Sequence, residues 1–148
     1  MTHPIHRPQP GRMLTWHRQA TYLILGLCCL SGLGWFALQT WMNWMPPQLK
    51  FWWVAHGITG MAGFIILGAA LPQHVVVTWR TKRNRWAGAS CLLCACGLSA
   101  SAAMLFYAPE ILRETAYWLH SVAGLFLCLA FPWHLIRGKR AKPAKQPL

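Results

Sequence analysis

The sequence contains very little negative charge. Its 148 residues include 14 Lys and Arg but only two acidic residues, Glu110 and Glu114, so the formal net charge is +12. Paired carboxylates for general acid–base catalysis, Ser/His/Asp triads and oxygen-ligated Mg²⁺ sites all require acidic side chains. The sequence therefore gives little support to hydrolytic or Mg²⁺-dependent chemistry, and it contains no glycine-rich phosphate-binding loop.

Long apolar runs dominate what is present. Hydrophobic residues make up 55% of the chain and charged residues only 11%, a composition typical of membrane proteins. Crossing about 30 Å of hydrocarbon takes roughly 20 helical residues, and four segments are long enough. We predict a single all-α integral membrane domain over residues 1–148, folded as an up-down-up-down four-helix bundle. Its expected helices cover residues 19–41, 51–79, 86–108 and 115–136, between basic, mobile tails at 1–15 and 138–148.

The basic residues predict how the chain crosses the membrane. Twelve of the 14 cations fall in the N-terminal tail, the second loop and the C-terminal end, whereas the other two loops hold only Lys50 and Arg113. The positive-inside rule then places both termini in the cytoplasm, at a bacterial inner membrane. This topology explains the net charge without a nucleic-acid partner, because the basic tails would lie near anionic lipid. The first segment has no small-residue cleavage site and is expected to be a retained helix.

Among the histidines inside the apolar segments or at their ends, four are the most informative: His17, His56, His120 and His134. Imidazole is costly in lipid, so several at matched depths indicate a bound cofactor, and haem fits best. His120 and His134 are 14 positions apart, which brings them to one helix face about 21 Å apart along the axis. His56 and His120 lie at comparable depths on helices that run in the same direction. We therefore predict that these two share one iron.

His134 has two candidate partners, His17 on the first segment and His74 on the second. His74 is 18 positions from the outer histidine of its own segment, an axial distance of about 27 Å. That distance overshoots the 21 Å on the fourth segment by about one turn, unless Pro72 bends the helix. We favour His17, with His74 as the alternative ligand. His74 and Gln73 then lie near the cytoplasmic face as candidates for binding quinone.

Small and basic residues surround the histidines. Glycines follow the outer histidines at close spacing, and their lack of side chains would leave space for a flat macrocycle. Small residues also serve ordinary helix packing. Arginines near the inner histidines could pair with haem propionates. Two histidines on each iron would leave no open coordination position, which favours electron transfer over oxygen binding. The residues concerned are Gly57, Gly60 and Gly124 for the macrocycle and Arg18 and Arg137 for the propionates.

The six cysteines are interpreted as packing residues. Cys91, Cys94 and Cys96 lie on the third segment, where no histidine or carboxylate accompanies them. Free cysteine packs as a small hydrophobe, and the same segment is rich in Gly, Ala and Ser. The third helix is therefore expected to be a spacer.

The motifs around the histidines resemble those of a known family. Trp16-His17-Arg18 opens the first segment, Leu30-Ser31-Gly32 lies within it, Ala55-His56-Gly57 begins the second, and Leu119-His120-Ser121-Val122-Ala123-Gly124 precedes His134. These runs look like the cytochrome b subunit of respiratory formate dehydrogenases and its relatives, the prokaryotic cytochrome b561 and nickel-iron hydrogenase cytochrome b proteins. The resemblance covers all four segments, and its specific part is the order of the histidines.

This resemblance implies a di-haem b cytochrome, an electron-transfer subunit of an oxidoreductase complex. It would carry electrons across the bilayer between a periplasmic-side redox partner and the quinone pool. Carried over by position, His56 and His120 would bind the outer haem b, and His17 and His134 the inner haem b beside a quinone site. The loop between the second and third segments is much shorter here than in formate dehydrogenase cytochromes, so contacts to an iron–sulfur partner do not carry over.

Two other functions stay open from the sequence. One is a free-standing membrane oxidoreductase that couples a small outer-face reductant to quinone, without a partner subunit. The other is a haem-free four-helix scaffold or carrier, which leaves the matched histidines unexplained. In the outer loop, Glu110, Arg113 and Glu114 could contact a periplasmic partner or could simply be solvated.

Overall fold

The computed structural model describes residues 13–44, 48–82 and 84–140. Over these ranges the chain is helical apart from short connections, which confirms the predicted all-α architecture. The outer parts of both predicted tails, residues 1–12 and 141–148, lie outside the described residues. The elements are α1 (Thr15–Met42), α2 (Lys50–Ala70), a π-helical turn (Leu71–Val75), α3 (Val76–Arg80), α4 (Arg85–Tyr107) and α5 (Glu110–Arg140).

Four continuous helical spans are long and apolar enough, by length and composition, to cross a membrane. They are Thr15–Met42, Lys50–Arg80, Arg85–Tyr107 and Glu110–Arg140. The first and last extend several residues beyond the predicted segments. Most large apolar side chains point away from the protein, as in Trp86, which is 86% exposed. Outward-facing apolar side chains on spans of this length are typical of contact with lipid. The chain is a multi-pass membrane protein.

The second span is interrupted by its proline. Pro72 has no backbone N–H and cannot continue the α-helical hydrogen-bond ladder. At this point the span widens into the π-helical turn Leu71–Val75, and α3 resumes at Val76. The π turn has i→i+5 bonds, so it changes both the phase and the rise of the helix. An axial distance calculated for a straight α-helix therefore does not hold across residues 71–75.

The bundle consists of two helical hairpins. α1 packs along α2, and α4 packs along α5, whereas close backbone approaches between the hairpins in the described part of the chain are few and occur mainly between α1 and α5. Small residues allow the close packing within a hairpin: a Cβ added to Gly63 on α2 would lie 3.4 Å from Leu25 on α1. The second span and α5 are thus separated by a space that side chains must bridge.

Candidate functional site

Two pairs of histidine rings bridge that space. The ring centroids of His56 and His120 are 6.0 Å apart, with their planes at 87°. The rings of His74 and His134 repeat the arrangement, at 6.0 Å and 89°. We call His56 and His120 the outer pair, and His74 and His134 the inner pair. His56 and His74 both belong to the second span, and His120 and His134 both belong to α5. The same two spans are therefore joined at two depths by the same pair geometry.

Each pair has the dimensions of two imidazoles bound to one metal ion. A metal–imidazole bond is about 2 Å long and the ring centre lies about 1 Å behind the nitrogen, so ligands on opposite sides of one ion have centroids about 6 Å apart. Within residues 13–44, 48–82 and 84–140, no group of three or more His, Cys, Asp or Glu side chains could hold a metal ion. A closed site for a bare ion such as zinc needs about four protein ligands. An iron porphyrin needs only axial ligands from the protein, so two histidines fit haem better than a bare ion.

α1 fixes the ring of His56. The Nδ1–H of His56 donates to the backbone carbonyl of Cys28 at 3.0 Å, and the hydroxyl oxygen of Ser31 lies 3.5 Å from the same nitrogen. Trp35 makes an edge contact with the ring, at 6.4 Å between centroids. Gly32 lies directly against the ring, because a Cβ there would come within 2.8 Å of Cε1. Since a carbonyl oxygen can only accept, Nδ1 carries the proton and Nε2 has the lone pair that a metal ligand needs.

α4 holds His120 in a comparable way. The hydroxyl oxygen of Ser101 lies 3.0 Å from Nδ1 of His120, and Ser101 is only 3% exposed. Ser101 occupies the first helix of its hairpin and His120 the second, as Ser31 and His56 do in the other hairpin. The sequence alone does not identify Ser101, because a contact between residues 19 positions apart depends on the register of α4 against α5.

Asn84 links the second loop to the inner pair. It has a left-handed backbone, with φ of 48°, a conformation that asparagine adopts more readily than most residues. Its side-chain amide donates to the backbone carbonyl of His134 at 3.0 Å, and the same nitrogen lies 3.3 Å from Nδ1 of that ring. The loop before α4 thus helps to hold the last turns of α5 at the depth of the inner pair.

His17 is predicted above to lie beside His134, but in the structure it contacts α2. Its Nε2 donates to the backbone carbonyl of Ile66 on α2 at 2.9 Å, and its ring stacks on Trp16 at 5.3 Å. His17 is only 7% exposed, so this is a buried hydrogen bond within the first hairpin. The ring next to His134 is that of His74, 6.0 Å away between centroids.

The glycines expected to face a macrocycle lie mainly at helix contacts. A Cβ at Gly60 would be 3.9 Å from Sγ of Cys28, and a Cβ at Gly124 would be 3.9 Å from Leu98. Both glycines therefore face the other helix of their own hairpin, where small residues permit close packing. At Gly57 a Cβ would meet no atom within 4 Å.

The polar residues assigned to the cytoplasmic side lie at the end of the bundle that holds the inner pair. The guanidinium of Arg137 lies over the ring of Trp133, 6.0 Å from its centroid. Arg18 is half-buried near the start of α1, and Gln73 is exposed within the π-helical turn. Arg137 and Gln73 thus lie close in sequence to His134 and His74, respectively.

A cleft lies at the opposite end of the bundle, where α1 and α4 end and α5 begins. Its volume is about 440 Å³, and its polar lining includes Gln39, Arg113, Glu114 and Tyr117. Clefts of roughly 300–1,000 Å³ are the usual size of small-molecule sites. The residues expected in a solvated outer loop thus begin α5 instead, and two of them line a concave surface.

These features define a class: a multi-pass helical membrane protein with two histidine pairs between its second and fourth spans. No family model matches the sequence, and no solved structure is similar to it. The 3-(3-hydroxy-phenyl)propionate transporter of Escherichia coli strain K12 is 31% identical to this chain over 121 residues, which is 79% of the chain. The match covers 28% of that transporter, so the chain spans less than a third of this relative's length.

Proposed function

We propose that this protein is a di-haem b cytochrome of the bacterial inner membrane that transfers electrons between a periplasmic-side redox partner and the quinone pool. The observation that carries the proposal is the repeated histidine pair between the second span and α5, with centroids 6.0 Å apart at both depths. His56 and His120 would hold the outer haem, and His74 and His134 the inner haem. When bound, the haem supplies a reversible one-electron iron couple.

The surroundings of the histidines favour electron transfer over ligand activation. Two imidazoles at each site would leave a bound haem iron no coordination position for a substrate. The hydrogen bonds to His56 and His120 come from groups within each hairpin and fix the rings before any cofactor arrives. Fixed ligands keep the geometry of a site the same in both oxidation states, as rapid electron transfer requires.

Quinone would bind at the end of the bundle that carries the basic residues. With His74 assigned to the inner pair, its exposed neighbour Gln73 is the group that we assign to the quinone, because its amide can donate to a quinone carbonyl. Arg18 and Arg137 are placed to pair with propionates or to stabilise a reduced quinone. The positive-inside rule puts this end in the cytoplasm.

The cleft at the other end supports a second candidate function. Gln39, Arg113 and Tyr117 present hydrogen-bonding groups in a cleft of about 440 Å³, large enough for a small reductant. A free-standing oxidoreductase that binds such a reductant directly would use this cleft as its donor site. In a complex with a redox subunit, the same surface would contact the partner.

The similarity to a transporter supports a third candidate, a haem-free carrier of small aromatic acids. That protein's name states its substrate, but the match covers only 28% of its length. A carrier function also gives no reason for two histidine pairs of the same geometry.

Transfer across a vesicle membrane separates these functions. Haem-loaded protein is reconstituted into proteoliposomes that enclose ferricyanide, and an impermeant reductant is added outside. We expect the enclosed ferricyanide to be reduced, and His120→Ala to lower the rate to that of protein-free vesicles. Absence of reduction by the haem-loaded wild type would refute the electron-transfer proposal. Uptake of labelled 3-(3-hydroxyphenyl)propionate without electron transfer would instead establish the carrier.

A pair of glycine variants tests where His56 lies. In Gly32→Ala the new methyl group would lie 2.8 Å from Cε1 of His56, so the ring must move away from the Cys28 carbonyl. In the matched variant Gly88→Ala the nearest ring atom, Cε1 of His134, is 3.6 Å away, an ordinary contact. We expect a redox titration to show one lost or shifted transition in Gly32→Ala and an unchanged curve in Gly88→Ala. The placement of His56 is wrong if both variants titrate like the wild type.

A further inference from the structure

The helix expected to be a spacer supplies a buried polar contact to the outer pair. α4 contains no histidine, yet the hydroxyl oxygen of Ser101 lies 3.0 Å from Nδ1 of His120. Ser101 is 3% exposed, and it is the only buried polar side chain among the described residues of α4. We propose that Ser101 is a positioning residue that fixes the tautomer of His120 and tunes the outer haem site. This inference rests on the proposed function.

The hydrogen-bond partners of Ser101 determine the direction of its bond to His120. A serine hydroxyl has one proton, and the shortest contact of this hydroxyl, 2.7 Å, is to the backbone carbonyl of Gly97. A carbonyl can only accept, so the proton of Ser101 is donated there. Toward His120 the hydroxyl oxygen therefore acts as an acceptor, and Nδ1 must carry the proton of the neutral ring. Nε2 is left with the lone pair that binds iron.

The ring opposite has the same tautomer, and its shortest contact is to a backbone carbonyl rather than to a hydroxyl. Nδ1–H of His56 donates to the backbone carbonyl of Cys28 at 3.0 Å. Ser31 occupies the place that corresponds to Ser101, but its hydroxyl is 3.5 Å from Nδ1, at the limit of a hydrogen bond. Its own proton is engaged by the Leu27 carbonyl at 2.8 Å. Removing Ser31 therefore leaves the 3.0 Å acceptor of His56 in place, whereas removing Ser101 takes away the 3.0 Å side-chain partner of His120 and leaves the backbone of Leu98 as the remaining partner of that ring.

When the nitrogen of an imidazole that does not bind the metal donates a hydrogen bond, the metal-binding nitrogen becomes a stronger electron-pair donor to the metal. Such partners orient the ring, and their loss typically weakens metal binding or activity by about 10–100-fold. A stronger donor also stabilises the more positive, oxidised iron. We therefore expect Ser101 to tighten binding at the outer site and to lower its midpoint potential, with no effect on the inner site.

Three variants of the haem-loaded, full-length protein test this role. Ser101→Ala removes the acceptor, Ser101→Thr restores a hydroxyl, and Ser31→Ala is the matched control. Redox titration gives the potential of each site, and transfer to an excess of a haem-free acceptor protein gives the retention of each haem. The outer transition is identified as the one that His120→Ala abolishes.

For Ser101→Ala we expect the outer transition to move to higher potential and outer haem retention to weaken by about 10–100-fold. The inner transition serves as an internal reference and should not move. Ser31→Ala should match the wild type, and Ser101→Thr should recover most of the difference. The proposal is overturned if Ser101→Ala behaves as the wild type, or if Ser101→Thr is as defective as Ser101→Ala, because packing rather than the hydroxyl would then be responsible.

One further measurement separates this inference from the proposed function. If the wild type binds no haem, the proposed function fails, but the tautomer of His120 can still be measured by ¹⁵N NMR of the ring nitrogens in detergent. We expect protonated Nδ1 at His120 in the wild type and altered ring-nitrogen shifts in Ser101→Ala, where the backbone of Leu98 is the remaining partner of the ring. Identical ring-nitrogen shifts in the two proteins would remove the assigned role of Ser101 whether or not haem binds.

Discussion

Replacing His120 with alanine is expected to lower the haem content of the purified protein from two per chain to one. The ring of His120 lies 6.0 Å from that of His56 and forms half of the outer pair. Among the described residues no group of three or more His, Cys, Asp or Glu side chains could hold a metal ion, so no third ligand is in position to replace the lost one. The haem-to-protein ratio and a redox titration measure the effect, and one of two transitions should disappear.

A neighbouring residue on the same helix provides the control for this variant. Leu119 is 53% exposed on the outer surface of α5, so Leu119→Ala should retain both haems and both transitions. His56→Ala should reproduce the loss seen in His120→Ala, because the two rings form one site. If His120→Ala kept two haems with an unchanged spectrum, the outer pair would not be a haem site.

Replacing His74 with alanine is expected to remove the inner haem, whereas replacing His17 is expected to leave both haems bound. The ring of His74 lies 6.0 Å from that of His134. The Nε2 of His17 instead donates to the Ile66 carbonyl at 2.9 Å. Loss of one hydrogen bond between helices costs about 0.6 kcal/mol on average in membrane proteins. His17→Ala should therefore lower the thermal stability slightly while its haem-to-protein ratio stays at that of the wild type.

The comparison of these two variants decides between two ligand sets. The resemblance to formate dehydrogenase cytochromes implies His17 and His134 for the inner haem, and the geometry favours His74 and His134. Loss of the inner haem in His17→Ala, together with its retention in His74→Ala, would return the assignment to His17. Each variant serves as the control for the other, because both remove one imidazole from the same end of the bundle.

Much of this architecture follows from the sequence. Four apolar segments separated by polar or proline-containing breaks predict four spans, and the structure has helices at all four. The spacing of His120 and His134 on one helix was enough to predict two depths for cofactor binding. The depth of His56 from the outer end of its segment placed it opposite His120, and the structure brings these rings within 6.0 Å of each other.

The pairing of His74 with His134 is harder to predict because the second span is not a straight α-helix. The axial distance of about 27 Å for 18 residues holds only at a constant rise per residue. Pro72 replaces regular α-helix with the π-helical turn Leu71–Val75, and the position of His74 relative to α5 depends on that turn. Composition identifies Pro72 as a source of irregularity but does not say whether the helix kinks, ends or widens there.

The sequence also does not predict which residues contact each other between helices. Ser101 meets His120, and Gly32 meets His56, only because of how each hairpin is packed in register. Nothing in the spacing of these residues along the chain distinguishes them from other small residues on the same helices. Similarly, Gly60 and Gly124 carry the same sequence signal whether they face a macrocycle or a neighbouring helix, and their Cβ positions face the neighbouring helix.

Binding of haem by both histidine pairs is tested most directly by the haem-to-protein ratio of the wild type. The protein is expressed with an adequate haem supply, purified in mild detergent, and analysed by oxidised and reduced spectra together with protein quantification. We predict two b-type haems per chain and low-spin spectra in both oxidation states. A ratio near zero under these conditions would contradict the account.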